Sequence, residues 1–512
     1  MNHSDKLIKN ILSNYAGVLI PAAVFLLLTP FMIKTLGPTA YGIWIIANTL
    51  RSYFQIMEFG IRTSVIKFVS EYHAKGEKRK IEELFTTSFF AFLIIGIISL
   101  IILKVIADFA PNIFKIPFSY FETLKTLISI FGLNIAVIFL NRIFEGTLAG
   151  FQRYDLVNLL NIISETLNAV LTVLLLLLGY GLISLSILSV LLSVSVFFIQ
   201  TFVLKKYYSL GIKISRFSWQ AIINIADFSF FSFAIEVAAK VSAKMDSLII
   251  GIFMPVAAVT EYIIGVKLAS ITEKLTDPMV DIFFPYASEL SINNDKSGLH
   301  RLLIEGTKIS ALISFPLTGF LFLSGEAAIN LWIGKGYQSS VAILNLFLLI
   351  SAVSILEATS SRILLGIGKI RFNALVSIFS ALSNLALSLI LIKPLGLKGV
   401  AIGTLIPLAI VNLFLLIPYA CAKINLPIRE LISRSLVPPI IPIIPVFSFL
   451  FFLNHFLKLN DFHKLLLNTV ILFPSYFILF FTFCLSRDEK IFYGNRIKAF
   501  LKGERIFSFF SK

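Results

Sequence analysis

Long apolar stretches recur along the whole of this chain, and each is long enough to cross the hydrocarbon core of a bilayer. A membrane-spanning helix needs about 20 consecutive, mainly apolar residues. Fourteen stretches meet this length, and they lack the alternation of polar and apolar residues that marks barrel strands, so they predict helices. The predicted spans are 11–33, 41–60, 84–107, 123–148, 156–178, 182–204, 228–254, 257–284, 302–323, 341–365, 372–392, 400–422, 436–456 and 465–485.

The composition excludes most classes of soluble protein. Of 512 residues, 57% are hydrophobic and 14% are charged, with a mean hydropathy of +0.91. A soluble domain carries about 25% charged residues, so this chain cannot cover its surface with polar groups in water. Soluble enzymes, disordered scaffolds and nucleic-acid-binding domains are therefore excluded. The two cysteines, Cys421 and Cys484, lie in or beside apolar segments and indicate no disulfide framework.

The basic residues indicate the orientation. The net charge is +16, and it is concentrated in the short gaps between apolar stretches. With the N-terminus on the cytoplasmic side, that side holds 25 Lys and Arg residues besides Arg62 and Lys67, and the opposite side holds 7. The positive-inside rule therefore predicts a multi-pass protein with both termini in the cytoplasm. The first stretch is too long for a signal-peptide core, so we expect it to remain as a helix.

A shift of 216 residues aligns the two halves of the chain. Arg51 falls on Lys267, and Gly150 falls on Gly366. The shift spans six helices, so both copies have the same orientation, as in transporters built from parallel repeats around a cavity. We therefore predict an all-α integral membrane protein with six-helix lobes at 1–213 and 214–425. Two additional helices and a basic cytoplasmic tail occupy 426–512.

Charged residues inside the spans form stripes. On the second span, polar residues spaced three and four apart predict one helical face: Asn48, Arg51, Gln55, Glu58 and Arg62. Similar stripes run along the seventh and eighth spans. Charges are costly in a bilayer, and Lys and Arg bind phosphate well, so the basic residues predict a wet cavity that binds an anion. The predicted substrate-binding residues are Arg51, Arg62, Arg142, Lys240, Lys244 and Lys267. The alternative is internal neutralisation by the i,i+4 pairs Glu58–Arg62 and Glu236–Lys240.

Two segments resemble a known family. The first is Leu36-Gly-Pro-Thr-Ala-Tyr-Gly-Ile-Trp44, followed by Met57-Glu-Phe-Gly-Ile-Arg62. The second is Met245-Asp-Ser-Leu-Ile-Ile-Gly251, followed by Tyr262. Both resemble bacterial polysaccharide transporters, the O-antigen-type flippases of the multidrug/oligosaccharidyl-lipid/polysaccharide exporter superfamily. The likeness covers most of the chain, including the fourteen-helix count.

The resemblance implies a V-shaped, two-lobed transporter rather than an enzyme. It implies movement of an undecaprenyl-pyrophosphate-linked oligosaccharide from the cytoplasmic to the outer leaflet of the bacterial inner membrane. It also implies coupling to a proton or sodium gradient, with Glu58, Glu236 and Asp246 as candidate coupling residues, and no bound cofactor. The expected partners are the lipid-linked substrate, membrane lipids and the polysaccharide polymerase and chain-length proteins, with no nucleic acid.

Three alternatives remain open. A multidrug cation antiporter would favour acids in the first helix, where no acidic residue occurs between Asp5 and Glu58. A lipid II flippase resembles the chain in helix count but carries basic residues in the first helix. A membrane glycosyltransferase, ligase or polymerase usually needs a large outer loop, and the predicted outer gaps are short. The histidines show no metal-ligand spacing, and no phosphate-binding GxxxxGK[ST] motif occurs.

Overall fold

A computed structural model describes residues 3–58, 60–223, 244–457, 459–485 and 490, with the side chains of all of these except 3–22, 25, 285 and 370. By its internal contacts the chain forms two units, Ala23–Thr260 and Met1–Ala22 with Glu261–Lys512. The predicted domain boundaries after residues 213 and 425 stay predictions.

Helix α1 spans His3–Phe54 and covers most of the first two predicted spans. Its backbone leaves the helical region at Gly37, where φ is 80° and ψ is 162°. Only glycine adopts this conformation readily, so the Leu36-Gly-Pro sequence sets the position of the kink. Residues 23–54 of α1 belong to the unit Ala23–Thr260. The other helices among this unit's described residues are α2 (Ile61–Ala74), α3 (Lys78–Ile113), α4 (Phe121–Gly150), α5 (Tyr154–Leu177), α6 (Leu182–Tyr208) and α7, of which 244–253 are described.

Eight further helices follow among the described residues. They are α8 (Ala257–Val280), α9 (Phe283–Ile292), α10 (Lys296–Trp332), α11 (Gln338–Gly366), α12 (Ile370–Leu395), α13 (Leu397–Ile424), α14 (Ile428–Phe456) and α15 (Asp461–Cys484). Ten helices among the described residues are long and apolar enough to cross a membrane, and they coincide with predicted spans three to six and nine to fourteen. Most of the seventh span lies outside the described residues.

Glycine makes close helix packing possible in both units. In the first unit α4 packs against α2, α3 and α6. A Cβ at Gly150 would lie 2.6 Å from Cβ of Val69 on α2. In the second unit a Cβ at Gly265 on α8 would lie 2.6 Å from the Ser340 carbonyl oxygen on α11. Small residues stabilise helices in lipid because they let neighbouring backbones approach closely.

The two C-terminal helices pack on α10 within the second unit. Asn468 of α15 is fully buried and donates a hydrogen bond to Ser324 of α10 at 2.8 Å. Around this bond lie the apolar side chains of Leu323, Leu450 and Leu472. A polar bond inside an apolar cluster fixes the register of helices that have little hydrophobic preference for one another in lipid.

The predicted repeat is visible in the local structure. Helix α5 begins at Tyr154 and α12 begins at Ile370, which is 216 residues later. The turns before them also correspond, because Gln152 and Gly368 both have positive φ, at 59° and 75°. In each turn the next backbone N–H, from Arg153 or Lys369, bonds to a carbonyl five residues back. The two halves therefore use the same turn to connect equivalent helices.

The prediction that one helical face runs from Asn48 to Arg62 is wrong. Helix α1 ends at Phe54, residues Gln55–Glu58 form a 3-10 turn, and Gly60 takes a left-handed conformation with φ of 70° before α2 begins. The spacing of three and four residues therefore does not continue from Gln55 to Arg62. Glycine permits this sharp break, and its place in Met57-Glu-Phe-Gly60 was the signal.

Candidate functional site

Arg51, a basic residue in the last turn of α1, contacts α4 of the same unit. Its Nη1 donates a hydrogen bond to Oδ1 of Asn134 on α4 at 3.1 Å. Its guanidinium carbon lies 4.9 Å from the centre of the Phe131 ring, and Phe131 is one turn before Asn134 on α4. A ring face attracts a cation without neutralising it, so both contacts orient the guanidinium and preserve its charge.

Asn134 is itself held in place by α6. It is fully buried, and its Nδ2 donates to the Ser189 carbonyl oxygen and to Oγ of Ser193, both at 2.9 Å. These bonds leave the Asn134 carboxamide oxygen facing Arg51. Because two hydrogen bonds to α6 fix the amide, the guanidinium has a prepared position rather than a flexible one. Asn134 was not among the residues predicted from the sequence, where its only signal was a polar residue inside an apolar span.

The chemistry of this site is that of an anion receptor. A guanidinium has five N–H donors, and Asn134 occupies one of them. Within the described part of the chain, no carboxylate forms a salt bridge with Arg51. A cation at membrane depth must face water or an anion, because hydrocarbon solvates it poorly. Arg51 can therefore present paired N–H groups to a phosphate or carboxylate.

A second cluster joins two predicted substrate residues to two acids. Oε2 of Glu145 lies 2.9 Å from Nη1 of Arg142 and 3.5 Å from Nε of Arg62. Nε of Arg142 also lies 3.5 Å from Oε2 of Glu58. The arginines are about one third exposed, at 34% and 32%, whereas the acids are 9% and 14% exposed. Two positive and two negative charges balance, so this cluster attracts an anion less strongly than Arg51 does.

These pairs run between elements rather than along one helix. Glu58 follows α1, Arg62 is on α2, and Arg142 and Glu145 are on α4. The alternative of internal neutralisation named the i,i+4 pairs Glu58–Arg62 and Glu236–Lys240, whereas the salt bridges here join Glu58 to Arg142 and Arg62 to Glu145. The cluster stabilises the helix break at Gly60, because the charges on either side of the break reach the same helix.

The other predicted residues are distributed over the chain. Lys244, the first described residue of α7, is exposed, and Asp246, two residues later, is 5% exposed. Lys267 is half-buried on α8, in the second unit. Lys240 and Glu236 lie outside the described residues. The structure thus gathers Glu58, Arg62 and Arg142 into one cluster and builds a separate site around Arg51.

The second unit holds a further polar group, which joins α11 to the turn between α8 and α9. Nη2 and Nε of Arg362 on α11 donate to Oδ1 of Asp281 at 2.7 and 3.0 Å. One turn earlier on α11, Glu357 accepts a hydrogen bond from Ser361, whose oxygen also accepts one from Asn373 on α12 at 3.1 Å. The sequence showed charges at 357 and 362 but not their partners. Among the described residues, no three His, Cys, Asp or Glu side chains form a metal-binding group.

Comparison with known proteins gives the family. The family model for polysaccharide biosynthesis proteins matches residues 31–342, which is more than half of the chain. A Shigella flexneri protein assigned as an O-antigen transporter is 22% identical over 407 residues, covering 78% of this chain and 94% of that protein. A Haloferax volcanii protein assigned as the flippase AglR is 21% identical, covering 75% of this chain and 77% of its own length.

Solved structures share the fold. The lipid II flippase MurJ in an inward closed conformation has a TM-score of 0.72 at 18% identity, covering 96% of this chain and 99% of that one. A multidrug resistance MATE family transporter of the MOP superfamily, in an inward-facing conformation, has a TM-score of 0.71 at 15% identity, covering 82% of this chain and 99% of that one.

The long apolar helices define the class of protein, a multi-pass helical membrane protein that shares the fold of those solved transporters. Within that class, the chain belongs to the polysaccharide biosynthesis protein family. The predicted resemblance and the predicted all-α fold are therefore confirmed.

Proposed function

We propose that this protein moves an undecaprenyl-pyrophosphate-linked oligosaccharide from the cytoplasmic to the outer leaflet of a bacterial inner membrane. The observation that carries the proposal is the Arg51 guanidinium, held in an apolar helix bundle by neutral partners. A pyrophosphate supplies the anion that such a cation requires, and a bidentate contact would fix its orientation. The relatives assigned as an O-antigen transporter and a flippase support this class of cargo.

The lipid-linked cargo also agrees with the surface of the first unit. Large apolar side chains along α3 and α5 are exposed, among them Ile101, Phe109 and Leu174. Such a surface suits lipid, so a polyprenyl tail can stay in the bilayer while the charged head crosses beside Arg51. We place both termini in the cytoplasm, where the excess of basic residues belongs.

Transport uphill needs an energy source, and we propose a proton or sodium gradient with alternating access. Glu58 and Asp246 are the described candidates for coupling, and Glu236 is the third. The polysaccharide polymerase and chain-length proteins are the proposed downstream partners, because they use the cargo on the outer side. Collapsing each gradient separately in transport-competent vesicles identifies the coupling ion.

Substitution of Arg51 tests the anion site. In cells that lack their own flippase, Arg51→Ala should abolish export of the repeat unit, and Arg51→Lys should retain part of it. Lys keeps the charge but loses the paired donors. Export by Arg51→Ala at the wild-type rate, with equal membrane levels of both proteins, would remove Arg51 from the site. Tags at both termini should react only after permeabilisation.

A further inference from the structure

An open pocket lies at one end of the first unit, away from Arg51's contacts. Its volume is about 430 Å³, within the range of sites for small ligands. Three separate parts of the chain form it: the kinked stretch of α1 near Gly37, the start of α4, and the connection between α5 and α6. These are the gaps that the proposed topology places on the outer side of the membrane.

The lining of the pocket combines apolar and polar side chains. Ala40, Leu176 and Leu182 line it and are at most 5% exposed. Tyr120 and Tyr180 also line it, and Tyr180 is 53% exposed. Two aromatic rings with hydroxyl groups can cover the apolar face of a ligand and bind its polar edge.

Threonine hydroxyls complete the polar lining. Thr35 and Thr123 both line the pocket. The Thr35 hydroxyl donates to the Phe31 carbonyl oxygen at 2.8 Å, which leaves its own oxygen as an acceptor for a ligand hydroxyl. No charged residue is among the described residues that line the pocket. A pyrophosphate would find no countercharge there, so the lining suits a neutral polar ligand.

Gly181 lines the pocket and leaves the space beside it unfilled. Its φ is −102° in extended backbone, which any residue can adopt. A Cβ built on it would meet no atom within 4 Å. Neither local conformation nor packing therefore requires glycine at this position. What the missing side chain does provide is volume, because Gly181 lines the pocket.

We infer that this pocket is a saccharide subsite, which binds one end of the oligosaccharide after the head group has crossed. Sugars present flat C–H faces to aromatic rings and hydroxyls to polar rims, and they carry no charge in their neutral forms. The inference rests on the proposed function for its place in transport. It separates recognition of the sugar, at this pocket, from recognition of the pyrophosphate, at Arg51.

The binding experiment uses the full chain in lipid nanodiscs. The probes are benzophenone-tagged disaccharides built from glucose, galactose or N-acetylglucosamine. Labelled peptides from the start of α4 or the α5–α6 connection are expected. Gly181→Trp, which fills the pocket, should lower labelling by about tenfold, equivalent to about 1.4 kcal/mol of affinity. Gly181→Ala should lower it less, because the loss follows the added volume.

Gly211→Trp is the matched control. Gly211 lies outside the pocket, its φ is not in the left-handed region, and a Cβ there would also meet no atom within 4 Å. This variant should label as the wild type does. Free disaccharide should displace the probe, whereas undecaprenyl pyrophosphate without sugar should not. Displacement by the sugar-free lipid would identify a lipid site and overturn the inference.

Export measured in parallel separates the two ideas. If the wild type exports repeat units and Gly181→Trp exports and labels equally well, the subsite is wrong and the flippase function stands. If the wild type exports nothing while labelling is saturable and lost in Gly181→Trp, the proposed function fails and the saccharide site stands. Absence of labelling by every disaccharide overturns the subsite.

Discussion

Arg51 and Asn134 meet across two helices of one unit, where Nη1 of the arginine donates to the carboxamide oxygen at 3.1 Å. Asn134 is an acceptor without a charge, and α6 holds it there through two further hydrogen bonds. The arrangement orients a cation and leaves its charge for another group. An aspartate at position 134 would have the same shape and would cancel that charge.

Asn134→Asp should therefore impair export more than Asn134→Ala does. The new carboxylate forms an ion pair with Arg51 and competes with the anionic cargo. A competing interaction of about 1.4 kcal/mol lowers cargo affinity about tenfold. The measurement is the rate of repeat-unit export at matched protein levels. Asn134→Ala is the control, because it removes the acceptor without adding a charge, and equal losses in the two variants would contradict the idea.

Glu145 should be the acid whose loss most weakens the first unit, because it bridges Arg62 and Arg142. Removing one partner of a fully buried ion pair costs about 3–5 kcal/mol. Both arginines are about one third exposed, so we expect about 1–2 kcal/mol for Glu145→Gln after solvent screening. Unfolding in detergent measures this, and a double-mutant cycle with Arg142→Gln should show coupling between the two positions.

The control for that cycle is an exposed pair of the same charge type. Lys75 and Glu71 lie 2.6 Å apart near the end of α2, where both are well exposed. Glu71→Gln should leave the unfolding midpoint nearly unchanged, because water screens exposed pairs. Equal effects of the two substitutions would show that the Glu145 bridge has no special structural role.

The repeated turn predicts two substitutions of opposite sign. Gln152 holds a left-handed conformation with φ of 59°, and Gly368 does so at 75° in the equivalent turn. A left-handed conformation costs a residue with a Cβ about 1–2 kcal/mol. Gln152→Gly should therefore raise the thermal unfolding midpoint, and Gly368→Gln should lower it. Shifts in the same direction would contradict the equivalence of the two turns.

The fold was largely predictable because hydropathy and span length act locally. Ten of the predicted spans coincide with long apolar helices of the described residues. The site was less predictable because it depends on packing between distant segments. The contact from Arg51 to Asn134 crosses 83 positions, and no periodic pattern encodes it. Helical spacing also misled the assignment of Glu58 and Arg62 to one face, since spacing does not show where Gly60 interrupts the helix.

Asp295 gives the second unit a pH-dependent helix start. As the N-cap of α10, its carboxylate accepts hydrogen bonds from the Gly298 backbone N–H at 2.8 Å and the Ser297 hydroxyl at 2.7 Å. The Gly298 bond, followed by the Ser297 bond, lowers the pKa of Asp295 below its usual value. A depressed folded-state pKa adds stability above the unfolded pKa of about 3.9, and this stability is lost as pH falls through the lower folded value.

Asp295→Asn should remove this dependence while keeping a cap. Asparagine still accepts a hydrogen bond from the helix N-terminus but does not titrate. Unfolding midpoints of the two proteins, measured from about pH 6 down to about pH 2, should therefore converge towards the acid end, since only the wild type loses a stabilising charge there. Ser297→Ala removes one of the two bonds and should give an intermediate curve. The curves of unfolding midpoint against pH for the wild type and Asp295→Asn could instead stay parallel. That result would show that the charge of the cap contributes no stability and that the hydrogen bond of an uncharged cap is sufficient.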